Sequence, residues 1–206
     1  MNRYSNDGSA SVEVDGELVQ QAQKAPEGDL RAFETLVFRH QRWVIANCRY
    51  ITRDPNNAED LAQEILVKAF FGLRSFEGKA TFGHWLKRIK IHHCLNHLKK
   101  HSGQSYVGID EDGVSGSDQL KVQITAEQLA EQLSDRLVIG AILDSMSNSL
   151  RVPLILCDMD GLSYEEVAQS LGIGLSATKM RIKRAREEFR ERYEQVQETG
   201  LKAIGK

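Results

Sequence analysis

Cationic side chains and aromatic rings are interleaved in residues 74–101, a combination that can hold nucleic acid. The stretch contains seven Lys and Arg residues and one acid, which makes a net charge of +6. Cations can follow a phosphate chain while rings stack on unpaired bases, so this pattern indicates a surface for a single strand. The alternative is that rings such as Phe82 and Trp85 simply pack, because with Leu86 and Ile89 they have core spacing. The candidate contacts to an opened strand are Phe76, Lys79, Lys87, Arg88, Lys90, His92, Asn96 and Lys99.

The same stretch contains a group of histidines that invites a metal interpretation. His93, His97 and His101 are one helical turn apart, and His92 and Cys94 lie beside them. One helix face rarely supplies a tetrahedral shell, since metal sites usually take ligands from a second element. A polar, partly basic surface that faces DNA is therefore the preferred interpretation. No metal site and no cofactor are predicted.

A second basic stretch follows a tight-turn signal near the end of the chain. Ser163 and Glu166 form a capping box, and Gly172 supplies a left-handed residue for a turn. The next helix begins within 174–176, and five basic residues without an acid follow between Lys179 and Arg186. Its inward stripe is Thr178, Ile182, Ala185, Phe189 and Tyr193. This order is typical of a helix-turn-helix whose second helix enters the major groove of a DNA duplex.

The predicted contacts of this helix divide by chemistry. Four residues are placed to meet base edges, namely Ser176, Lys179, Met180 and Lys183. Three are placed to meet phosphates, namely Arg181, Arg184 and Arg186. The alternative is a helical hairpin whose basic face is merely solvated.

An acidic helix face precedes the first basic stretch. Asp60, Gln63, Glu64 and Val67 share one outer face at helical spacing. An acidic, partly apolar face beside a basic helix indicates a protein partner on one side and DNA on the other. The alternative is a solvated helix start whose acids are favoured by the helix dipole.

Helical spacing dominates the whole chain, which contains only three prolines, so the predicted fold class is all-α. The first helices are expected from Asp29 to about residue 51, from a capping box at Asn56 and Glu59 to Gly72, and from Thr81 to about residue 100. Further helices are expected from Thr125, capped with Gln128, to residue 143, and over 148–159.

The pattern breaks between these groups of helices. Residues 102–124 contain four glycines, four serines and a net charge of −3, which predicts a flexible acidic linker between two small helical bodies. The predicted division is a polar tail over 1–16, a first body over 17–101, a second body over 125–195 and a C-terminal tail over 196–206.

Composition excludes several classes of protein. The chain has 206 residues, of which 41% are hydrophobic and 27% charged, and its net charge is −2. Three cysteines without a CxxC pair indicate a reducing compartment, and no apolar run reaches the roughly 18 residues of a membrane span. With no signal-peptide pattern, the expected location is the cytoplasm. A phosphate-binding GxxxxGK[ST] loop and a nucleophile elbow are also absent from the sequence, so no covalent chemistry is expected.

Three segments in order resemble the extracytoplasmic-function (ECF, group IV) sigma factors of bacterial RNA polymerase. They are AEDLAQEILVKAF over 58–70, FEGKATFGHWLKRIKIHHCLNHLKK over 76–100, and DGLSYEEVAQSLGI with TKMRIKRAR between 160 and 186. The resemblance covers about residues 17–195. It implies that the first body is sigma domain two and the second is sigma domain four.

The resemblance also implies partners. The helix with Asp60 to Glu64 would dock on the clamp coiled coil of the largest polymerase subunit. The loop and basic helix from Phe76 to Lys100 would capture the melted promoter element, and the helix with Lys179 to Arg186 would read the distant element as duplex. The acidic linker would thread toward the active-site channel, and an anti-sigma factor is an expected partner.

Two positions depart from the family pattern. His92 stands where the family often has Asn against the opened strand, and Gly174 stands where Ser commonly caps the recognition helix. The predicted function is a sigma factor that directs core polymerase to specific promoters and assists melting. The alternatives are a two-domain regulator that binds duplex operators and a metal-dependent nucleic-acid enzyme that uses the histidine cluster.

Overall fold

The computed structural model describes residues 8–54, 56–102 and 135–204, and every regular element in these ranges is a helix. The chain divides into two compact units, and the division falls between His101 and Ser102. The prediction of an all-α chain with two helical bodies is therefore confirmed. The predicted linker lies outside the described residues, apart from Ser102, which ends a helix.

The described residues of the first unit form four helices. They are α1 (Gly8–Lys24), α2 (Arg31–Thr52), α3 (Ala58–Leu73) and α4 (Phe82–Ser102). Helix α2 packs against both α1 and α3. The side chains that fill the core share a helical period on each element and are Leu36, Val44, Ile51, Leu61, Ile65, Ala69, Phe82, Leu86, Ile91 and Leu95. Burial of these apolar stripes is the main favourable term for the unit.

Helix α4 starts as predicted, whereas the N-cap of α2 is Leu30, one residue after the expected Asp29. The Asp29 carboxylate accepts the backbone N–H of Arg31 at 3.2 Å and also binds the Arg31 side chain. That side-chain bond lowers the pKa of Asp29 to about 2. The Thr81 hydroxyl accepts the backbone N–H of His84 at 3.2 Å, so the predicted cap of α4 is confirmed.

The predicted capping box at Asn56 and Glu59 is wrong. The N-cap of α3 is Asn57, whose backbone is already in the right-handed helical region and whose side chain caps nothing. Asp54 holds the N-cap residue in place instead. Its carboxylate accepts both the backbone N–H and the side-chain amide of Asn57, at 3.1 and 2.6 Å.

Residues 8–16 are not an irregular tail, because they belong to α1. The Asp15 side chain explains why this polar segment is ordered. Asp15 is only 8% exposed, and its carboxylate binds Arg39 at 2.9 Å and His40 at 2.8 Å on α2. Val19, one turn further along α1, is also buried.

In the second unit, residues 135–204 are described and form four α-helices. They are α5 (Asp135–Ser145), α6 (Asn148–Leu154), α7 (Tyr164–Leu171) and α8 (Leu175–Ile204). Helix α6 continues directly into a π-helical turn, Ile155–Met159, so the helix predicted over 148–159 is present with a wider last turn. Helix α8 packs against α5, α6 and α7. The core side chains are Val138, Ile142, Leu143, Val152, Ile155, Leu156, Val167, Leu171, Ile182 and Ala185.

The predicted helix-turn-helix is present in local detail. Ser163 and Glu166 form a complete capping box at the start of α7, with bonds of 3.2 and 2.9 Å. Gly172 ends α7 with φ of 67°, a left-handed conformation that glycine adopts at no steric cost. Ala168 and Leu171 are buried, as expected for the face that meets the next helix.

The C-terminal boundary of this unit differs from the prediction. Helix α8 runs to Ile204, so residues 196–204 continue the helix instead of forming a tail. The segment has no proline, and five of its nine residues are good helix formers, which is compatible with the extension. The predicted cap at Thr125 and Gln128 lies outside the described residues.

Candidate nucleic-acid and protein interfaces

Helix α4 presents a polar stripe opposite its buried face. Arg88, His92, Asn96 and Lys99 are all exposed and follow one another at steps of four, four and three residues. That spacing places them on one side of the helix. The cations Arg88 and Lys99 therefore flank His92 and Asn96, whose side chains can form hydrogen bonds. Four of the residues predicted to contact an opened strand thus lie on one surface.

Lys90 is not part of this surface, which corrects the prediction. Its side chain is fully buried, at 0% exposure. The ammonium donates to Asn47 Oδ1 at 3.0 Å and lies 4.8 Å from the centroid of the Trp43 ring, so α2 supplies both partners. The sequence contained a signal for this placement, since Phe82, Leu86, Lys90 and Cys94 recur at steps of four.

The aromatic candidate Phe76 lies in the loop between α3 and α4. Phe76 is half-buried, and its ring centroid lies 4.9 Å from that of Trp85 on α4. Trp85 packs closely on Gly72, where an added Cβ would lie 3.1 Å from Trp85 Cζ2. Lys79 is exposed in the same loop and forms an ion pair with Glu77, while Lys87 is half-buried on α4.

Residue Gln23, which sequence analysis missed, holds this loop. Its side-chain amide donates to the carbonyl oxygens of Leu73 at 2.9 Å and Phe76 at 2.8 Å. The pattern of the sequence carries no signal for these bonds, because the partners are about fifty residues away.

The histidines of α4 take part in contacts between helices. His93 Nε2 lies 2.8 Å from Glu64 on α3, and Lys68 Nζ lies 2.9 Å from His93 Nδ1. Burial, and to a smaller extent the Lys68 ammonium, lowers the pKa of His93. Among the described residues, no three His, Cys, Asp or Glu side chains are grouped to hold a metal ion.

The acidic face of α3 is exposed as the sequence suggested. Asp60, Gln63 and Glu64 are exposed, and Val67 is 53% exposed. The face extends one turn further to Phe71, which is 75% exposed and was not among the predicted residues. Its step of four from Val67 was the available signal. The result is an acidic rim beside an apolar end, a surface suited to a protein partner.

Helix α8 exposes most of its predicted contacts. Ser176, Lys179, Lys183 and Arg184 are exposed, Met180 is 50% exposed, and Arg181 is half-buried. The inward stripe is confirmed at Thr178, Ile182 and Ala185, which are buried. The exposed cations therefore lie on the side of α8 that faces away from the core of its unit.

Arg186 has a different environment from the other cations of α8. Its guanidinium donates to both carboxylate oxygens of Asp158, at 2.9 and 2.6 Å, and to the Tyr164 hydroxyl at 3.1 Å. The bonds to Asp158 raise the pKa of Arg186 above its ordinary value, whereas burial acts to lower it. These bonds join α8 to the π-helical turn and α7, and the Arg186 side chain remains 42% exposed.

The second unit contains an apolar groove of about 350 Å³. Its walls include Ile139, Leu143, Leu154, Ile155, Phe189 and Tyr193. Phe189 and Tyr193 belong to the predicted inward stripe of α8 but are only half-buried, since they border this groove. Their rings stack with centroids 6.4 Å apart.

Comparison with known proteins assigns both units. The family model described as Sigma-70 region 2 matches residues 36–104, and the model described as Sigma-70, region 4 matches residues 136–189. The ECF RNA polymerase sigma-E factor of Escherichia coli K12 is 32% identical over 179 residues, covering 84% of this chain and 91% of the relative. The chain belongs to the extracytoplasmic-function sigma factors. The RNA polymerase sigma-H factor of Pseudomonas aeruginosa is 30% identical, covering 85% and 91%.

Solved structures show the same fold. CnrH, in complex with the cytosolic domain of CnrY, has a TM-score of 0.54 at 24% identity and covers 86% of this chain and 96% of its own. The sigma factor RpoE of Bartonella quintana, in complex with the anti-sigma factor NepR, has a TM-score of 0.54 at 22% identity, covering 79% and 96%.

The family membership confirms the predicted function. The chain is an RNA polymerase sigma factor, a subunit that directs core polymerase to promoters and assists initiation and melting, and the operator-binding alternative is not supported. Sigma factors as a family are initiation factors and not enzymes. In this sigma factor, α1 lies before the residues matched by the region 2 model. None of its described helices is long and apolar enough to cross a membrane.

The burial of Lys90 leads to a stability prediction. Lys90→Ala removes the stem that fills the space between α2 and α4 and leaves Asn47 Oδ1 without this donor. We expect the free energy of unfolding of the first unit to fall by about 2–4 kcal/mol. Lys99→Ala, on the exposed stripe of the same helix, is the control and should change it by less than about 0.5 kcal/mol. Denaturant titration of the full chain measures both, and equal stabilities would contradict the burial of Lys90.

Proposed function

We propose that this sigma factor uses two separate cationic surfaces for two states of promoter DNA. The stripe of α4, with the loop around Phe76, captures the opened strand, and the exposed face of α8 reads a distant element as duplex. The observation that carries this proposal is the alignment of Arg88, His92, Asn96 and Lys99 along one face of α4.

Capture of the opened strand follows from the chemistry of this stripe. A base must leave the stack to be read, at a cost of a few kcal/mol. Arg88 and Lys99 can offset that cost by pairing with phosphates, while His92 and Asn96 between them can hydrogen-bond to bases. The half-buried Phe76 ring adds a surface for stacking at one end. Because His92 replaces the Asn common in the family, the base preferred at this point should differ from the usual one.

Duplex reading by α8 requires side chains that protrude from the unit. Lys179 and Lys183 are one turn apart and exposed near the start of α8, with Ser176 and Met180 beside them. These residues are placed to meet base edges in a major groove, and Arg184 is placed to meet the backbone. Arg181 is half-buried and would reach phosphates from the edge of this face. We exclude Arg186 from the contact set because of its bonds to Asp158.

The exposed face of α3 is the proposed docking site for core polymerase. It combines Asp60, Gln63 and Glu64 with the apolar side chains of Val67 and Phe71. Through the family resemblance, its partner is the clamp coiled coil of the largest subunit. The acids would steer the encounter and set the register, while the apolar end supplies buried area.

The remaining assignments follow from the family. We propose that an anti-sigma factor holds this chain inactive, as suggested by two relatives whose structures contain CnrY and NepR. We also propose that the chain acts in the cytoplasm, where core polymerase is found, and has no covalent chemistry of its own.

Run-off transcription tests the proposed function directly. Purified bacterial core polymerase is supplied with a promoter library, with and without this chain. We expect RNA from defined start points only when the chain is present, and weak DNA binding by the chain alone. Tight binding of the chain alone to palindromic duplexes, without initiation, would instead favour the operator-binding regulator.

The duplex surface generates a prediction for sequence preference. Lys183→Ala should weaken binding to the preferred distant element by about 1–3 kcal/mol relative to scrambled duplex, because a base-edge contact is lost. Arg190→Ala removes one charge two turns further along α8 and should leave the ratio unchanged. Competition binding by the polymerase holoenzyme gives this ratio, and an unaltered preference in the Lys183 variant would refute its base contact.

The acidic face of α3 generates a prediction for core binding. Asp60→Lys reverses the charge of an exposed residue in the proposed interface, so affinity for core polymerase should fall by about tenfold or more. Glu17→Lys makes the same change on the exposed side of α1 and serves as the matched control. Fluorescence anisotropy with purified core measures both affinities, while circular dichroism checks that each variant remains folded. Equal core affinity for the two variants would rule out this docking site.

A further inference from the structure

One side chain of α1 connects that helix to the beginning of the loop between α3 and α4. Gln23 Nε2 donates to Leu73 O and Phe76 O, at 2.9 and 2.8 Å. Leu73 is the last residue of α3, where carbonyl groups lack partners within the helix. Phe76 lies three residues later, in the loop. A single amide therefore caps α3 and holds the backbone from which the Phe76 ring projects.

The helix that carries Gln23 is itself anchored. The largely buried Asp15 carboxylate binds Arg39 and His40 of α2 at 2.9 and 2.8 Å. Val19, between Asp15 and Gln23, is 5% exposed. The contacts of Asp15 and Gln23 are polar and have defined geometry, so apolar packing is not the sole anchor of α1 between these two residues. Through Gln23, the docked helix α1 therefore holds the start of the loop in place.

Other contacts act on the same short segment of the loop. The backbone N–H groups of Ser75 and Phe76 donate to Gly72 O at 3.1 Å and Leu73 O at 3.0 Å. The Phe76 ring lies against Trp85. Trp85 therefore restrains the ring, whereas Gln23 restrains the carbonyl of the same residue. Residues 77–81 beyond it are exposed and lead to the start of α4.

We propose that Gln23 is a positioning residue for the reading of the opened promoter strand. It holds the loop so that Phe76 and Lys79 stand at a fixed place relative to the stripe of α4. An ordered loop lowers the conformational entropy that must be lost when a flexible single strand binds. The inference rests on the proposed function of the loop. Helix α1, which precedes the residues matched by the region 2 model, would then take part in promoter selection.

The test compares three variants of Gln23 with a control on the same helix. Gln23→Ala removes the amide, and Gln23→Glu keeps its shape but replaces the donor with an oxygen that faces two carbonyls. Gln23→Lys returns an N–H donor. Gln21→Glu introduces the same charge at an exposed position of α1. Each is made in the full chain.

Two readouts separate loop order from function. Hydrogen exchange of the peptide over 73–80 reports the loop, and open-complex formation with core polymerase on promoters varied in the melted element reports selectivity. For Gln23→Ala and Gln23→Glu we expect about fivefold faster exchange in this peptide and about fivefold lower discrimination among melted elements. Core affinity and preference for the distant element should stay at the parent level. Gln23→Lys should recover part of both effects, and Gln21→Glu should match the parent.

Several results would overturn the proposal. Unchanged exchange over 73–80 would show that Gln23 does not hold the loop. Faster exchange with full discrimination would show that the loop's order does not serve strand reading. Faster exchange throughout α2 and α3 would make Gln23 a general stabilising residue. If the parent chain itself starts no RNA, the proposed function fails and this inference fails with it, whereas failure of the inference alone appears as equality between variants and parent.

Discussion

Helix α4 must be buried on one face and accessible on the other, and the first unit is organised around that requirement. Its inward positions Phe82, Leu86, Lys90 and Cys94 recur at steps of four and are buried. Three of them contact α2, since Phe82 lies against His40, Lys90 binds Asn47 and Cys94 lies beside Cys48. One of these positions is a lysine. An unpaired buried ammonium is costly by several kcal/mol, so α2 provides the Asn47 oxygen and the Trp43 ring as partners. Because these polar partners have a fixed place, the register of α2 and α4 is defined, and the exposed stripe follows from it.

The second unit contains a comparable internal use of a cation. Arg186 lies within the basic run of α8, yet its bonds to Asp158 and Tyr164 join α8 to the elements before it. A bidentate bond of this kind fixes orientation as well as distance. It holds the recognition helix against the π-helical turn and α7, while the cations nearer the start of α8 remain exposed. In both units, one cation of the basic run is thus used in a contact within the protein.

Features that depend on residues close together in the sequence were mostly predicted, whereas contacts between distant residues were missed. The helix-turn-helix was predicted in detail because Ser163, Glu166 and Gly172 act within a few residues of themselves. The similar pair at Asn56 and Glu59 failed because the backbone of Asn57 was already helical, which sequence spacing does not report. The partners of Lys90 and Arg186 are 43 and 28 residues away, beyond any local pattern. Likewise, Cys48 and Cys94 are distant in the sequence, yet their sulfur atoms are 3.7 Å apart.

The N-terminal helix shows why such long-range contacts matter for function. Residues 8–16 are polar and have little of the apolar content that predicts a packed helix, so local reasoning treats them as a tail. Asp15 anchors this segment, because its carboxylate binds Arg39 and His40 of α2. Once α1 is docked, Gln23 reaches the end of α3 and the loop that precedes α4. Residues 77–81 of this loop are exposed, so its order depends on contacts such as those of Gln23 and Trp85 with Phe76. Under the proposed function, the precision of the strand-reading surface depends on α1, a helix that does not carry the basic stripe.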